Sequence, residues 1–290
     1  MPALRVNPEM AQLLPLPEPG ERWALFLDVD GTLVPIAATP EAARPEPALL
    51  PLLERLRRGC DEALALISGR SLASIDSLFA PLRLAAAGLH GWERRRPDGA
   101  LVRQQERTGL LARLRPQLAA YASARPGLLL EDKGGSLALH YRQAPERGAA
   151  LLRFVRRLAA DEPEIHILRG RKVVELQPRG ADKGMAIEAF LGEAPFAGRR
   201  PIFAGDDTTD EHGFAAVNAL GGISLRVADA ETRGRSSCAR HTLAGTDELH
   251  RWLCAVARRL EESDRSQHSG TAGFHPALRQ DAPQRSPGRR

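Results

Sequence analysis

Cysteine is scarce: Cys60, Cys238 and Cys254 are the only three in 290 residues. They are odd in number and have no CxxC spacing, which argues against a disulfide framework or a thiolate zinc site. Aromatic residues make up only 4% of the chain. That is too few to interleave with a basic face as a nucleic-acid platform does. No apolar run approaches the ~20 residues of a membrane helix. The first twenty residues hold no continuous apolar stretch of the kind a secretory leader carries. The expectation is a cytoplasmic chain with neither a membrane nor a nucleic acid as partner. Charge of one sign is not in great excess either, since 41 basic and 36 acidic side chains leave +5. Residues 263–290 carry +3 of that and are rich in Ser, Gln, Pro and Gly. They read as a disordered basic tail, so the charge says little about a folded partner surface.

What is present is an ordinary globular composition, 43% hydrophobic and 27% charged. The length suggests about two domains at roughly 100–200 residues each. Residues 23–27, WALFL, form a short continuous apolar run, as expected of a strand buried on both faces of a parallel sheet. Residues 47–58 read as a helix with Leu49, Leu50, Leu53 and Leu56 on one stripe. A second strand-like run, 62–67, a helix over 71–79 and a third strand over 82–87 complete an α/β alternation. The middle reads differently: a helix over 108–125, a hairpin over 128–142 turning at Gly134-Gly135, a helix over 149–160, and two strands near 165–168 and 172–177. The α/β pattern then resumes, with helices over 182–191 and 211–218, strands over 201–204 and 223–227, and a last helix over 247–261. The fold class is α/β: a Rossmann-like parallel-sheet core with an inserted small α+β cap. Its parts are an N-terminal tail (1–20), core (21–107), cap (108–180), core (181–262) and tail (263–290).

In open α/β sheets, ligands bind beyond the carboxyl ends of the strands. The first strand ends in Asp28-Val-Asp30-Gly-Thr-Leu33 and the second in Ser68-Gly-Arg70. The helix after the insert opens with Asp182-Lys183-Gly184, and a late strand ends in Gly205-Asp206-Asp207-Thr-Thr-Asp210. Crowded carboxylates repel one another unless they share a cation, and oxygen-only ligation favours a hard ion such as Mg2+. A carboxylate can attack phosphorus to form an aspartyl-phosphate. A second carboxyl group two residues on can protonate the leaving oxygen and then activate water.

Those four ordered segments resemble the motifs of the haloacid dehalogenase superfamily of phosphatases. The resemblance implies that Asp28 is the nucleophile and Asp30 the general acid/base. Ser68 and Lys183 would bind the phosphoryl group, and Asp28, the backbone of Asp30 or its side chain, and Asp206 would hold Mg2+. Asp207 and Asp210 would be further ligands or supports. The segments Gly88-Leu-His90-Gly-Trp-Glu93, Glu131-Asp-Lys133…His140-Tyr-Arg142 and Val173-Val-Glu175 are similar to the trehalose-6-phosphate phosphatase family. That likeness spans roughly residues 22–261. It implies hydrolysis of a sugar phosphate, with Glu131, Lys133 and Glu175 gripping the distal sugar and a trehalose-6-phosphate synthase as pathway partner. Strand alternation independently puts Glu131 and Lys133 on one face, and a pocket of such groups discriminates for hydroxyls. Arg70 and His90 are further substrate-binding candidates, Arg70 as a steering charge. Each also has a plainer reading: Ser68 as a helix cap, Asp207 and Asp210 as capping acids, Glu131–Lys133 as an exposed ion pair, His90 and His140 as structural hydrogen-bonders. Lys183 is harder to dismiss, because a cation at a helix N-terminus is electrostatically disfavoured. Other sugar phosphates, such as sucrose 6-phosphate or a glycosyl-phosphoglycerate, are the nearest rival substrates. A non-catalytic regulatory protein of the same fold is the more distant rival.

Overall fold

The computed structural model describes residues 14–37, 39–103 and 108–270. Five parallel strands build most of the core: β1 (Trp23–Leu27), β2 (Leu64–Ile67), β3 (Ala85–Gly88), β10 (Arg200–Gly205) and β11 (Ile223–Val227). β1, β2, β3 and β11 are buried along their whole length; β1 and β2 accordingly read as unbroken apolar runs, whereas β11 also buries Ser224 and Arg226. A parallel edge strand β12 (His241–Leu243) and an antiparallel pair β4 (Glu93–Arg95) and β5 (Leu101–Arg103) extend the sheet. The eight strands run in the order β12-β11-β10-β1-β2-β3-β4-β5. These three extra strands have three residues each, too short for a periodicity to register.

Helices α1 (Leu49–Gly59), α2 (Leu72–Phe79), α5 (Lys183–Leu191), α6 (Glu211–Ala219) and α7 (Thr246–Gly270) belong to the core. In α1 the buried stripe is Leu49, Leu52, Leu53 and Leu56, with Leu50 only partly covered. The last helix passes well beyond the expected residue 261, so it takes in the start of the segment read as a tail. Residues 271–290 lie outside the described residues, as do 1–13. The rest of the expected N-terminal tail is docked on α7: Pro15 O accepts from Trp252 Nε1 at 3.1 Å, and Trp252 stacks on Trp23.

The inserted unit contains α3 (Thr108–Ser123), β6 (Leu129–Asp132), β7 (Leu137–His140), α4 (Gly148–Leu158), β8 (Ile165–Gly170) and β9 (Val173–Pro178). Its own antiparallel sheet has the order β6-β7-β9-β8. Leu111, Leu114 and Leu118 of α3 and Leu151 and Val155 of α4 pack on Leu137, Leu139 and Leu176. This apolar cluster is separate from the larger one around β1. Among the described residues no helix is long and apolar enough to cross a membrane.

The strand order positions the chemistry. β1 lies between β10 and β2, so the residues that follow these three neighbours, Asp28, Ser68 and Asp206, emerge side by side at one end of the sheet. The four-stranded sheet faces that end.

Candidate active site

Asp28 follows β1 directly and is buried. Its Oδ2 accepts from Thr32 Oγ1 at 2.9 Å and its Oδ1 from Lys183 Nζ at 2.7 Å. Lys183 is the first residue of α5, whose N-cap, Asp182, accepts from Met185 N. Its ammonium also donates to Asp210 Oδ1 at 2.6 Å. Burial works against that charge, but Asp210 and Asp28 outweigh it and hold the lysine well above its usual range. Burial pushes the Asp28 carboxyl up to about 6, and Lys183 offsets part of the rise.

Asp206 lies on the other side of Asp28, at the end of β10. Burial, followed by the neighbouring charges of Asp28, Asp210 and Asp207, raises its carboxyl well above the usual range. One carboxylate oxygen from each of Asp28, Asp206 and Asp210 lies within 4.8 Å of the others. Space here is reserved by Gly31, at φ +89°: a Cβ on it would come within 2.1 Å of Asp206 Oδ2. Three carboxylates with one internal lysine leave excess negative charge, and their oxygens suit a hard divalent cation.

The side chains of two further expected metal ligands, Asp207 and Asp30, border the same cavity and have protein partners of their own. Asp207 caps the turn that follows it, accepting from Thr208 N at 2.7 Å, and its Oδ2 accepts from Arg171 N of the inserted unit at 2.8 Å. Asp30 faces Arg70, whose Nε and Nη2 donate to its two oxygens at 2.7 and 2.6 Å. Asp210, expected as a further ligand or a support, has its Oδ2 accepting from the backbone N–H groups of Asp206 and Asp207, both at 2.9 Å, and also belongs to the carboxylate trio. Ser68 is buried, and its hydroxyl accepts from Arg70 N at 3.1 Å. It does not cap α2; Ser71 does.

The inserted unit closes over this cluster. Lys133 Nζ donates to Glu175 Oε2 at 3.0 Å and, across the gap, to Gly69 O of the core at 2.9 Å. Ser136 Oγ donates to Glu175 Oε1 at 2.5 Å. His90 of the core, in left-handed backbone conformation at φ 55°, brings Nε2 within 3.5 Å of Glu175. Burial alone would raise the Glu175 carboxyl, but Lys133 and His90 prevail and keep it below the usual range. Glu131 behaves alike: burial is outweighed by its bond to His140 at 2.8 Å and by Lys133, and its carboxyl is lowered. Glu131 and Lys133 are thus half-buried and bonded to other partners, Glu131 to His140 and Lys133 to Glu175, and do not form an exposed pair with each other.

Core cluster and cap network line one cavity of about 110 Å3, which also includes Arg142 and Arg171. Every site residue expected from the sequence except Asp210, which lies behind Asp28 and Asp206, borders it. Sequence reasoning gave no role to Arg142, Arg171, Ser136 or Thr32. Thr32, Ser136 and Arg142 lay inside recognised segments, whereas Arg171 sits in a turn with no distinguishing spacing.

A trehalose-phosphatase family model matches residues 26–247. The chain belongs to the trehalose-phosphatase family. It is 47% identical over 208 residues to a probable trehalose-phosphate phosphatase of Sinorhizobium fredii, covering 71% of this chain and 78% of that one. It is 40% identical over 253 residues to the Escherichia coli trehalose-6-phosphate phosphatase, covering 87% and 93%. The C. albicans trehalose-6-phosphate phosphatase C-terminal domain has the same fold, with a TM-score of 0.73 at 21% identity over 82% of this chain and 92% of that one. So has the Candida albicans trehalose synthase regulatory protein C-terminal domain, with a TM-score of 0.62 at 14% identity, covering 86% and 96%. Membership makes the chain a phosphoric monoester hydrolase of haloacid-dehalogenase type, a family that implies a divalent metal. The carboxylate trio fits one.

Proposed function

We propose that the chain hydrolyses trehalose 6-phosphate to trehalose and phosphate through a phosphoryl group carried on Asp28. The observation that carries this reading is the shared cavity: a buried Asp28–Lys183 pair on the core faces a buried Glu175–Lys133 pair on the cap. The first pair suits phosphoryl transfer and the second suits a polyhydroxylated leaving group. A non-catalytic role fits poorly with the intact carboxylate and lysine constellation.

Asp28 attacks phosphorus, the bond from phosphorus to the sugar oxygen breaks, and Asp30 supplies the proton that the sugar oxygen takes. Water then attacks the phosphoryl group, gives its proton to Asp30, and Asp28 is released. Lys183 and Ser68 hold the phosphoryl oxygens, with Lys183 also orienting Asp28. Asp28 and Asp206 are the residues that would hold Mg2+, with Asp210 behind them. Bound there, Mg2+ would neutralise charge that builds on the phosphoryl oxygens. Residues 108–180 act as a cap. Their cavity is smaller than the ~300–1,000 Å3 of typical small-molecule sites, so entry of a disaccharide phosphate requires the cap to lift. Three free cysteines suit a reducing cytoplasm, where a trehalose-6-phosphate synthase would supply the substrate.

Phosphate release from a panel of sugar phosphates, with and without Mg2+, tests the reading. Trehalose 6-phosphate is expected to be the best substrate, with Mg2+ required. A clear preference for sucrose 6-phosphate or a glycosyl-phosphoglycerate would reassign the substrate. No release from any member would favour a regulatory role. Asp28→Asn is expected to remove turnover, and an active variant would overturn the covalent route.

A further inference from the structure

Asp30 has to present one carboxyl oxygen, with a proton on it, to the leaving sugar oxygen. Both of its oxygens are engaged in the structure, by Nε and Nη2 of Arg70. A guanidinium only donates hydrogen bonds, so its two-pronged grip fixes the carboxyl plane and leaves only the lone pairs turned away from Arg70 for exchange with a sugar oxygen or a water.

Arg70 is built into the core and is not a loose steering charge. Its side chain is 7% exposed, Nη1 reaches Ser74 Oγ at 3.2 Å, and its backbone N donates to Ser68 Oγ. Its carbonyl accepts from Leu89 N at 2.8 Å, and a Cβ on Gly88 would collide with that oxygen at 2.8 Å. Burial works against the guanidinium charge, but Asp30 outweighs it, with the cap's Glu131 adding to the effect.

We propose that Arg70 is a positioning residue for Asp30: it orients the carboxylate for the water step and yields one oxygen to the leaving sugar in the step before. The assignment rests on the acid/base role given to Asp30 above. In the first step the Asp28–phosphorus bond forms and the phosphorus–sugar oxygen bond breaks. The electron pair goes to that oxygen, and the Asp30 proton follows. In the second step the water–phosphorus bond forms, the Asp28–phosphorus bond breaks, and the water proton returns to Asp30, held in place by Arg70.

The test compares the intact chain with Arg70→Met and Arg70→Lys on trehalose 6-phosphate and on p-nitrophenyl phosphate, with Mg2+ present. For Arg70→Met, kcat on the sugar phosphate is expected to fall about a hundredfold, the low end of what general acid–base catalysis contributes, with KM nearly unchanged. The aryl ester needs no proton for its leaving group. Its first step should survive and its second should slow, giving a burst of one p-nitrophenolate per active site. Arg70→Lys, the variant to use if Arg70→Met does not fold, should show a smaller kcat loss and the same burst. A raised KM with unchanged kcat would make Arg70 a substrate-binding residue and overturn the assignment. Equal losses on both esters without a burst would reduce it to a structural role, which also overturns it. An unaltered chain inactive on both esters would overturn the phosphatase reading itself, a result distinct from any of these.

Discussion

Lys183 donates to Asp28 at 2.7 Å across 155 residues of sequence, joining the first strand's end to the first turn of a helix that begins only after the inserted unit. A lysine in a helix's first turn works against the helix dipole. It is retained here by two carboxylates, Asp28 and Asp210, which would otherwise be buried with no internal cation. Removing one partner of such a buried group costs roughly 3–5 kcal/mol, because the remaining charges are left uncompensated. Lys183→Met is therefore expected to destabilise the metal-free chain by about that amount in urea unfolding, besides abolishing turnover. A loss under about 1 kcal/mol, the worth of an exposed pair, would mean that the carboxylates find another partner.

The same burial sets a pH dependence. Asp28 is raised from 3.8 to about 6 in the folded, metal-free protein. Between those values the unfolded chain has lost a proton that the folded chain keeps, so stability falls as pH rises through that window. Above 6 the part of the penalty due to Asp28 is complete, and Asp206, raised by the same burial, adds its own. A divalent cation pairs with the ionised carboxylate and removes the penalty, but below 6 it must displace a proton first. The rise in melting temperature on adding Mg2+ should therefore be largest above 6 and shrink as the pH is lowered through 6. A rise of equal size on both sides would place the ion away from Asp28.

Lys133 has a double task, tying Glu175 within the cap and reaching Gly69 O on the core. A hydrogen bond to a charged group contributes about 1.5–3 kcal/mol, or roughly ten- to a hundredfold in rate. Lys133→Ala should lower kcat/KM for trehalose 6-phosphate by about that factor. A small aryl phosphate has no distal sugar to grip, so its loss should be much smaller. Measured losses that match on the two substrates would refute sugar recognition by the cap network.

Most of the core and its catalytic ends were legible because they obey local rules. β1 is apolar throughout, and Asp28 interrupts the pattern where the strand stops. What escaped depends on contacts between distant segments. β12, β4 and β5 exist because a neighbouring strand offers hydrogen bonds, not because His241–Leu243 or Leu101–Arg103 carry a pattern. The pairing of Arg70 with Asp30 spans 40 residues, and no local pattern announces it. Arg171 likewise gains its meaning only when its turn lands on Asp207, and on Asp229 and Glu231 of the core.

That landing separates two roles for Asp207. Its neighbour Asp206 faces the carboxylate cluster, whereas Asp207 holds Thr208 N and the Arg171 N–H of the cap turn. The turn fits closely: a Cβ on Gly170 would approach Asp207 Oδ2 to 2.9 Å. If Asp207 anchors the cap, Asp207→Ala should leave the Mg2+ concentration for half-maximal activity on an aryl phosphate nearly unchanged. It should lower kcat/KM on trehalose 6-phosphate by roughly tenfold, the worth of one charged hydrogen bond. If Asp207 were a metal ligand, the Mg2+ requirement would rise on both substrates together. Titrating Mg2+ with each substrate in turn separates the two, because a cap contact acts on the sugar and a ligand acts on the ion.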